Sequence, residues 1–143
     1  MIVLDTTILV YATGDVHPVR NDSLRLLEAI AHGRIEGTTT VEVIQEFVHV
    51  RARRQSRAEA AKSARSFADL LAPLLVIQEA TVEAGLRIFE RSKSLGAFDA
   101  FLAATAIASG ADALVSADRA FSSVSRLAHI VPGTAEFDRL LAA

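Results

Sequence analysis

With 143 residues, 51% hydrophobic and 22% charged, the chain reads as one globular domain spanning 1–143, long enough to bury roughly 70% of the surface its unfolded form exposes. It has no cysteine, which excludes a disulfide scaffold and a thiolate metal site and fits a reducing, cytoplasmic compartment. A net charge of −2 excludes a global basic field; Asp5 breaks the N-terminal apolar run too early for a signal peptide, and no run reaches the ~18 residues of a membrane span.

Ile2–Leu4 is predicted as a short buried strand. A short helix through Leu9 and Tyr11 runs into the Gly14-Asp15 turn, and Leu24, Leu27 and Ile30 mark a helix that Gly33 stops. Residues 35–38 read as a polar, β-branched strand, followed by a helix over about 41–53. Ser56-Arg-Ala-Glu59 is a capping-box signature opening an Ala-rich helix to about Leu71. Pro73 introduces a strand at 74–77, and a helix over about 82–93 precedes the apolar helix 98–108, which Gly110 ends. A strand at 113–116, a turn at Asp118-Arg119, a strand at 129–131 and a short helix around 137–141 complete the chain. Short apolar strands separated by helices predict an α/β fold, a three-layer α/β/α sandwich with a mostly parallel central sheet. No repeat, low-complexity segment or linker divides it.

Four acids interrupt otherwise apolar stretches: Asp5, Glu46, Asp99 and Asp118. In open parallel sheets ligands bind outside the carboxyl ends of the strands. Asp5 ends the first strand there, and Asp118 follows the strand at 113–116. The helix carrying Asp99 returns antiparallel to that strand, so its N-terminus lies at the same edge. Glu46 lies ~8 Å into a helix that starts at that edge. Carboxylates that converge repel one another, and a hard divalent cation with oxygen ligands relieves the repulsion.

Each acid also has a plain structural reading. Asp5 can cap the helix after it, Asp99 can complement a helix N-terminus, and Asp118 can be a turn residue. Asp99 nevertheless is the only charge between Lys93 and Asp112. On the wheel of the helix at 41–53, Glu46 borders the apolar face of Val43, Ile44, Phe47, Val48 and Val50. Glu42 falls further to the polar side, and Thr39-Thr-Val-Glu42 matches a capping box that explains it structurally.

Val-Leu-Asp5-Thr6-Thr7-Ile-Leu-Val-Tyr11, Val-Ile-Gln-Glu46-Phe47, Phe98-Asp99-Ala-Phe-Leu-Ala-Ala-Thr-Ala and Ala-Leu-Val-Ser116-Ala-Asp118-Arg-Ala-Phe121 follow one another along essentially the whole chain. In this ordered set the chain resembles the PIN-domain ribonucleases, and specifically the VapC toxins of bacterial toxin–antitoxin modules. Asp5, Glu46, Asp99 and Asp118 match the acidic quartet of that family. The family usually has Asn where Thr7 stands and Thr where Ser116 stands.

The resemblance implies metal-assisted hydrolysis of RNA phosphodiesters, with Mg²⁺ or Mn²⁺ held by Asp5 and Asp99. It implies that Asp118 and Glu46 complete the site, directly or through water, and that Glu46 can orient the nucleophile. Thr6 and Ser116 are read as donors that fix the carboxylates. The implied partners are an RNA substrate, a VapB-like antitoxin and a second copy of the chain, with no membrane.

Arg51, Arg53, Arg54 and Arg57 form the only basic cluster. It reads either as a solvated helix end or as a contact for RNA or an acidic antitoxin segment. His17, His32, His49 and His129 show no metal-ligand spacing, although His49 could flank the site. Two other function classes match parts of the pattern. A haloacid-dehalogenase-like phosphotransferase with Asp5 as nucleophile wants a lysine at the site, and only Lys62 and Lys93 are present. A non-catalytic receiver-like module needs an acidic pair at the first strand and a lysine after the last, whereas Asp5 stands alone and Pro132 follows Val131; a PIN-like RNA-binding module would tolerate a degenerate quartet, and this one is complete.

Overall fold

A strand that is apolar at every position must be covered on both faces. Residues of β1 (Ile2–Leu4) are at most 4% exposed, and the strand lies inside the sheet. The computed structural model describes residues 1–143. Its other strands are β2 (Gly37–Thr38), β3 (Ala113–Val115) and β4 (His129–Ile130), in the order β2-β1-β3-β4, all parallel. The register pairs Val3 with Thr38 and Leu114, and Val115 with Leu4 and Ile130.

Seven helices flank this sheet to give the three-layer sandwich: α1 (Thr6–Thr13), α2 (Arg20–Ala31), α3 (Val41–Arg51), α4 (Arg57–Leu70), α5 (Val82–Arg91), α6 (Ala97–Ala108) and α7 (Ala135–Ala142). α1 packs on α2 and α3, α3 on α4, and α2 on α7, while α5 packs on α6. The α5–α6 approach depends on Gly85, where a Cβ would lie 2.9 Å from the Phe101 ring. The core joins the strands to Ile8, Leu9, Phe47, Phe121 and Phe137, among others. No helix is long and apolar enough to cross a membrane.

The strands expected at 113–116 and 129–131 each end one residue early, and two others are cut back further. The amides of Arg34 and Ile35 still donate to the Ala29 carbonyl at the end of α2, so pairing on β1 begins only near Gly37. Segment 74–77 makes a single parallel bridge, Leu75 to Thr40, because α3 starts at Val41 and ends the ladder there. The capping box at Ser56 and Glu59 forms with both of its bonds.

From β1 the chain moves to β2 on one side, and from β3 to β4 on the other. The order therefore switches direction between β1 and β3, which is where a parallel sheet opens a crevice at its carboxyl edge. The Asp5 amide donates to the Val115 carbonyl across that point.

Candidate active site

Asp5 both caps α1 and faces the crevice, so its structural and functional readings coexist. Its Oδ2 accepts from the Thr7 amide at 3.2 Å, the Thr7 hydroxyl at 2.7 Å and the Ser116 hydroxyl at 2.7 Å. Oδ1 is left without a protein donor. A hydroxyl has one proton, and Thr7 and Ser116 each spend theirs on Asp5. Both oxygens then accept in turn: Thr7 Oγ1 from the Ala117 amide at 3.0 Å, and Ser116 Oγ from the Asp118 amide at 2.9 Å. This ties the loop after β3 to the first turn of α1.

Asp118 caps the 3₁₀ turn Arg119–Ser123, its Oδ1 accepting from the Ala120 amide at 2.9 Å. Glu46 takes a 2.6 Å hydrogen bond from the Thr6 hydroxyl through Oε2. Asp99, in the first turn of α6, completes the group. Its carboxyl is pushed up to about 7, first by burial and then by the negative charges of Asp5, Glu46 and Asp118. The four acids named from the sequence thus meet at one rim, with Thr6 and Ser116 holding two of them.

None of the four is paired with an arginine or lysine. Nor does any group of three or more His, Asp or Glu side chains close into a formed metal cage. Mg²⁺ does not require such a cage, because it keeps several waters and takes one or two protein carboxylates. The donors are all hard oxygens, and the charge that raises Asp99 has no cation to offset it. The residues present fit a hydrated Mg²⁺ or Mn²⁺.

Thr7 serves the site, and Glu42 differs from its sequence reading. Thr7 lacks the amide side chain that the family usually places there, yet its hydroxyl binds Asp5 directly. The capping box expected from Thr39 to Glu42 does not form. Thr40 is the N-cap, accepting from the Val43 amide, whereas Thr39 is buried and donates its hydroxyl to the Leu4 carbonyl at 2.7 Å. Glu42 therefore stands one position short of a box, and it is more buried than Glu46 rather than further into solvent. Its Oε2 is enclosed and has no hydrogen-bond partner.

Arg53, Arg54 and Arg57 are exposed, while Arg51 turns inward and is 6% exposed. His49 is exposed and accepts from Arg53 Nη2 at 3.0 Å, on a cleft it shares with Glu46 and Phe98. His129 lies closer to the rim than its spacing suggested. Its Nε2 is 3.1 Å from the Ser116 carbonyl, which can only accept, so the ring donates there and takes the Ser122 hydroxyl at Nδ1. Burial lowers its pKa and favours this neutral form. Lys62 lies within α4 and Lys93 beyond α5, and neither pairs with a rim carboxylate.

The PIN domain family model matches residues 2–127. Ribonuclease VapC7 of Mycobacterium tuberculosis is 50% identical over 145 residues, covering 99% of this chain and 98% of that protein. VapC ribonuclease Mb1869c of Mycobacterium bovis is 30% identical over 131 residues, covering 90% of this chain and 100% of that protein. Among solved structures, VapBC2 from Rickettsia felis bound to a promoter DNA fragment aligns with a TM-score of 0.72 at 21% identity, over 92% of this chain and 98% of that one. FitAcB from Neisseria gonorrhoeae aligns with a TM-score of 0.71 at 17% identity, over 92% and 98%.

Proposed function

This chain belongs to the PIN-domain family, among its VapC ribonucleases, and we propose that it is a metal-dependent endoribonuclease acting as the toxin of a toxin–antitoxin pair. The observation that carries this reading is the uncompensated rim: burial, and then the three neighbouring carboxylates, raise Asp99 to about 7 with no basic residue among them. The nuclease class is supported by the relatives' names. The antitoxin partner is supported by the paired proteins among the structural neighbours.

A bound Mg²⁺ or Mn²⁺ would activate water and neutralise charge on the scissile phosphate. Asp5 and Asp99 are the residues that would hold it. Asp5 offers Oδ1, since its other oxygen is immobilised by three donors. Glu46 is oriented by Thr6, so its remaining oxygen can accept from the attacking water and align it. Asp118 completes the rim. Thr7 and Ser116 keep Asp5 from rotating, which preserves the spacing of the carboxylates.

Residues 1–143 act as a single domain in this reading, inside the cell where RNA is found. Arg53, Arg54 and Arg57 are free to meet phosphates or an acidic antitoxin segment. A second copy of the chain would cover Val82, Leu86 and Phe89, which are exposed at one-turn spacing on α5. The phosphotransferase and receiver readings lack the lysine each requires.

The test is cleavage of single-stranded RNA by purified protein. Activity is expected with Mg²⁺, none with EDTA, and none in Asp99→Asn. Expression alone should arrest growth, and co-expression of the small protein encoded beside it should restore growth. Undiminished cleavage by Asp99→Asn, free of contaminating nuclease, would overturn the metal mechanism.

A further inference from the structure

A cavity of about 110 Å³, apart from the carboxylates, lies between the last turn of α5 and the end of the 3₁₀ turn Arg119–Ser123. Arg87, Arg91 and Ser92 form one wall, Ser123 and Ser125 the other, and no carboxylate lines it. It is well below the ~300–1,000 Å³ of drug-sized pockets and suits one small group. Most of its donors are uncommitted. Arg87 gives Nε to Glu83 at 2.9 Å and keeps its Nη groups, while Arg91 pairs with no carboxylate. Ser123 spends its proton on the Ala120 carbonyl at 2.7 Å. Ser92 is only 7% exposed, yet its hydroxyl has no partner in the protein and opens onto the cavity. Arg91 by itself has a plain reading, because a cation complements a helix C-terminus. A buried hydroxyl left unpaired beside two arginines has no such reading.

Both walls lead back to the rim. Asp118 caps the 3₁₀ turn that ends at Ser123. Residues 92–96 alone join α5 to α6, and the two helices pack with Gly85 against Phe101, so they run antiparallel. Arg91 lies ~9 Å along the axis from Gly85, and Asp99 lies ~3 Å from Phe101 in the same direction. With axes ~8–10 Å apart, their backbones are separated by about 11 Å, some three nucleotides at the ~3.4 Å rise of a stacked strand. Arg87 and Arg91 point roughly 140° and 180° around α5 from Val82. A second copy seated on the exposed apolar face of α5 therefore leaves the cavity open.

We propose that this cavity binds a phosphodiester of the RNA strand a few nucleotides from the scissile bond, with Arg91 and Ser92 as its donors and Arg87 in support; the proposal rests on the ribonuclease reading of the rim. A phosphodiester carries one negative charge and two outward oxygens, which take charge-assisted hydrogen bonds from guanidinium and hydroxyl groups. Donors on two walls suit those two oxygens. Carboxylates repel the strand wherever metal does not cover them, so a cationic cavity just beyond the rim holds the backbone in place. Contacts of this kind set the register of the strand and carry no sequence information.

The test is fluorescence anisotropy of a labelled single-stranded RNA in EDTA, where metal-dependent cleavage cannot consume it. Arg91→Gln should weaken binding on the order of tenfold and reduce the slope of log affinity against log salt by about 0.7, the share of one phosphate on a single strand. Arg91→Lys keeps the charge and should retain most of the slope. Ser92→Ala should weaken binding about fivefold with an unchanged melting temperature, since the hydroxyl makes no bond in the free protein. A merely structural role would move melting and leave RNA binding alone. With Mg²⁺, Arg91→Gln and Ser92→Ala should raise KM and leave kcat unchanged, as loss of uniform binding does. Unchanged affinity and salt slope in Arg91→Gln overturn the proposal. It also fails if inorganic phosphate binds wild type and not Arg91→Gln while RNA binds both alike, or if Arg91→Gln breaks association with a protein partner and spares RNA. Weaker RNA binding by Arg91→Gln in a protein that never cleaves RNA would instead leave the cavity standing and remove the nuclease reading.

Discussion

The hydroxyl of Thr6 donates to Oε2 of Glu46 at 2.6 Å, so the residue that follows one rim carboxylate fixes the direction of another. The bond spans α1 and α3, which meet along their sides. Thr6→Val keeps the shape and removes the donor. Single-turnover cleavage should fall about tenfold in Thr6→Val and ~10²-fold or more in Glu46→Gln, with melting temperatures little changed. Equal rates in Thr6→Val and wild type would show that Glu46 needs no such guide.

Ser116 is fully buried and serves two neighbours, donating to Asp5 and accepting from the Asp118 amide. Ser116→Ala should cost about 1–3 kcal/mol of stability, because it strands a buried donor and acceptor. It should also weaken Mg²⁺ binding ~10–100-fold, as the loss of a group that orients a ligand generally does. Thr7→Val should do the same, leaving the Ala117 amide unpaired, while Thr7→Asn retains a donor and should be milder. Calorimetry with Mg²⁺ and chemical denaturation measure the two effects separately.

Asp99 gives the metal-free protein a pH dependence of definite sign. Its carboxyl is raised from 3.8 to about 7, so its contribution to stability is complete below the ordinary carboxyl range and is lost as pH rises through about 7. A cation needs the ionised form, so metal affinity should climb over the same window. The melting temperature of metal-free protein should fall between about pH 4 and 7 and level off above, and Mg²⁺ should reverse the fall. Binding near pH 6 should release close to one proton, read from calorimetry in buffers of different ionisation heat. Asp99→Asn should flatten all three. His129 acts with the opposite sign, losing its contribution on acidification below its ordinary 6.5, so a His129→Gln background isolates the carboxyl.

Arg51 separates packing from charge within the basic cluster. It is 6% exposed, its Nε is unpartnered, and no carboxylate pairs with it. Arg51→Met should therefore leave stability unchanged or raise it, because an apolar side chain of similar length replaces an uncompensated buried charge. Arg51→Ala should lower stability by about 2 kcal/mol through lost packing. Alanine at Arg53, Arg54 and Arg57 should leave melting unaltered and weaken RNA or antitoxin binding in a salt-dependent manner. A large drop in Arg51→Met would reveal a polar partner for this side chain.

The rim was legible in the sequence because each of its acids interrupts an apolar run, and such a charge needs a reason. Helix ends at Gly33 and the box at Ser56 were legible because they rest on neighbours only a few residues apart. The extent of β2 was not, since the amides of Arg34 and Ile35 choose a carbonyl on the preceding helix over the strand beside them. Glu42 misled for a related reason. Three consecutive threonines offer three caps, and only the tertiary bond from Thr39 to Leu4 assigns the cap to Thr40. The place of His129 depends on the β3–β4 register, which no local pattern encodes.

β1 leaves the ribosome well before β3, one of its two neighbours, and the hydroxyl that steadies Asp5 lies 111 residues later. At ~5–20 residues per second, translation delivers that hydroxyl several seconds after Asp5 itself. Throughout that interval the growing chain carries Asp5, Glu46 and Asp99 without the strand that draws them to one edge. An organised rim therefore exists only once residue 116 has been made. Polypeptides ending before Ser116 should be inert toward RNA, which leaves an interval in which a neutralising partner can be made before the activity it must restrain.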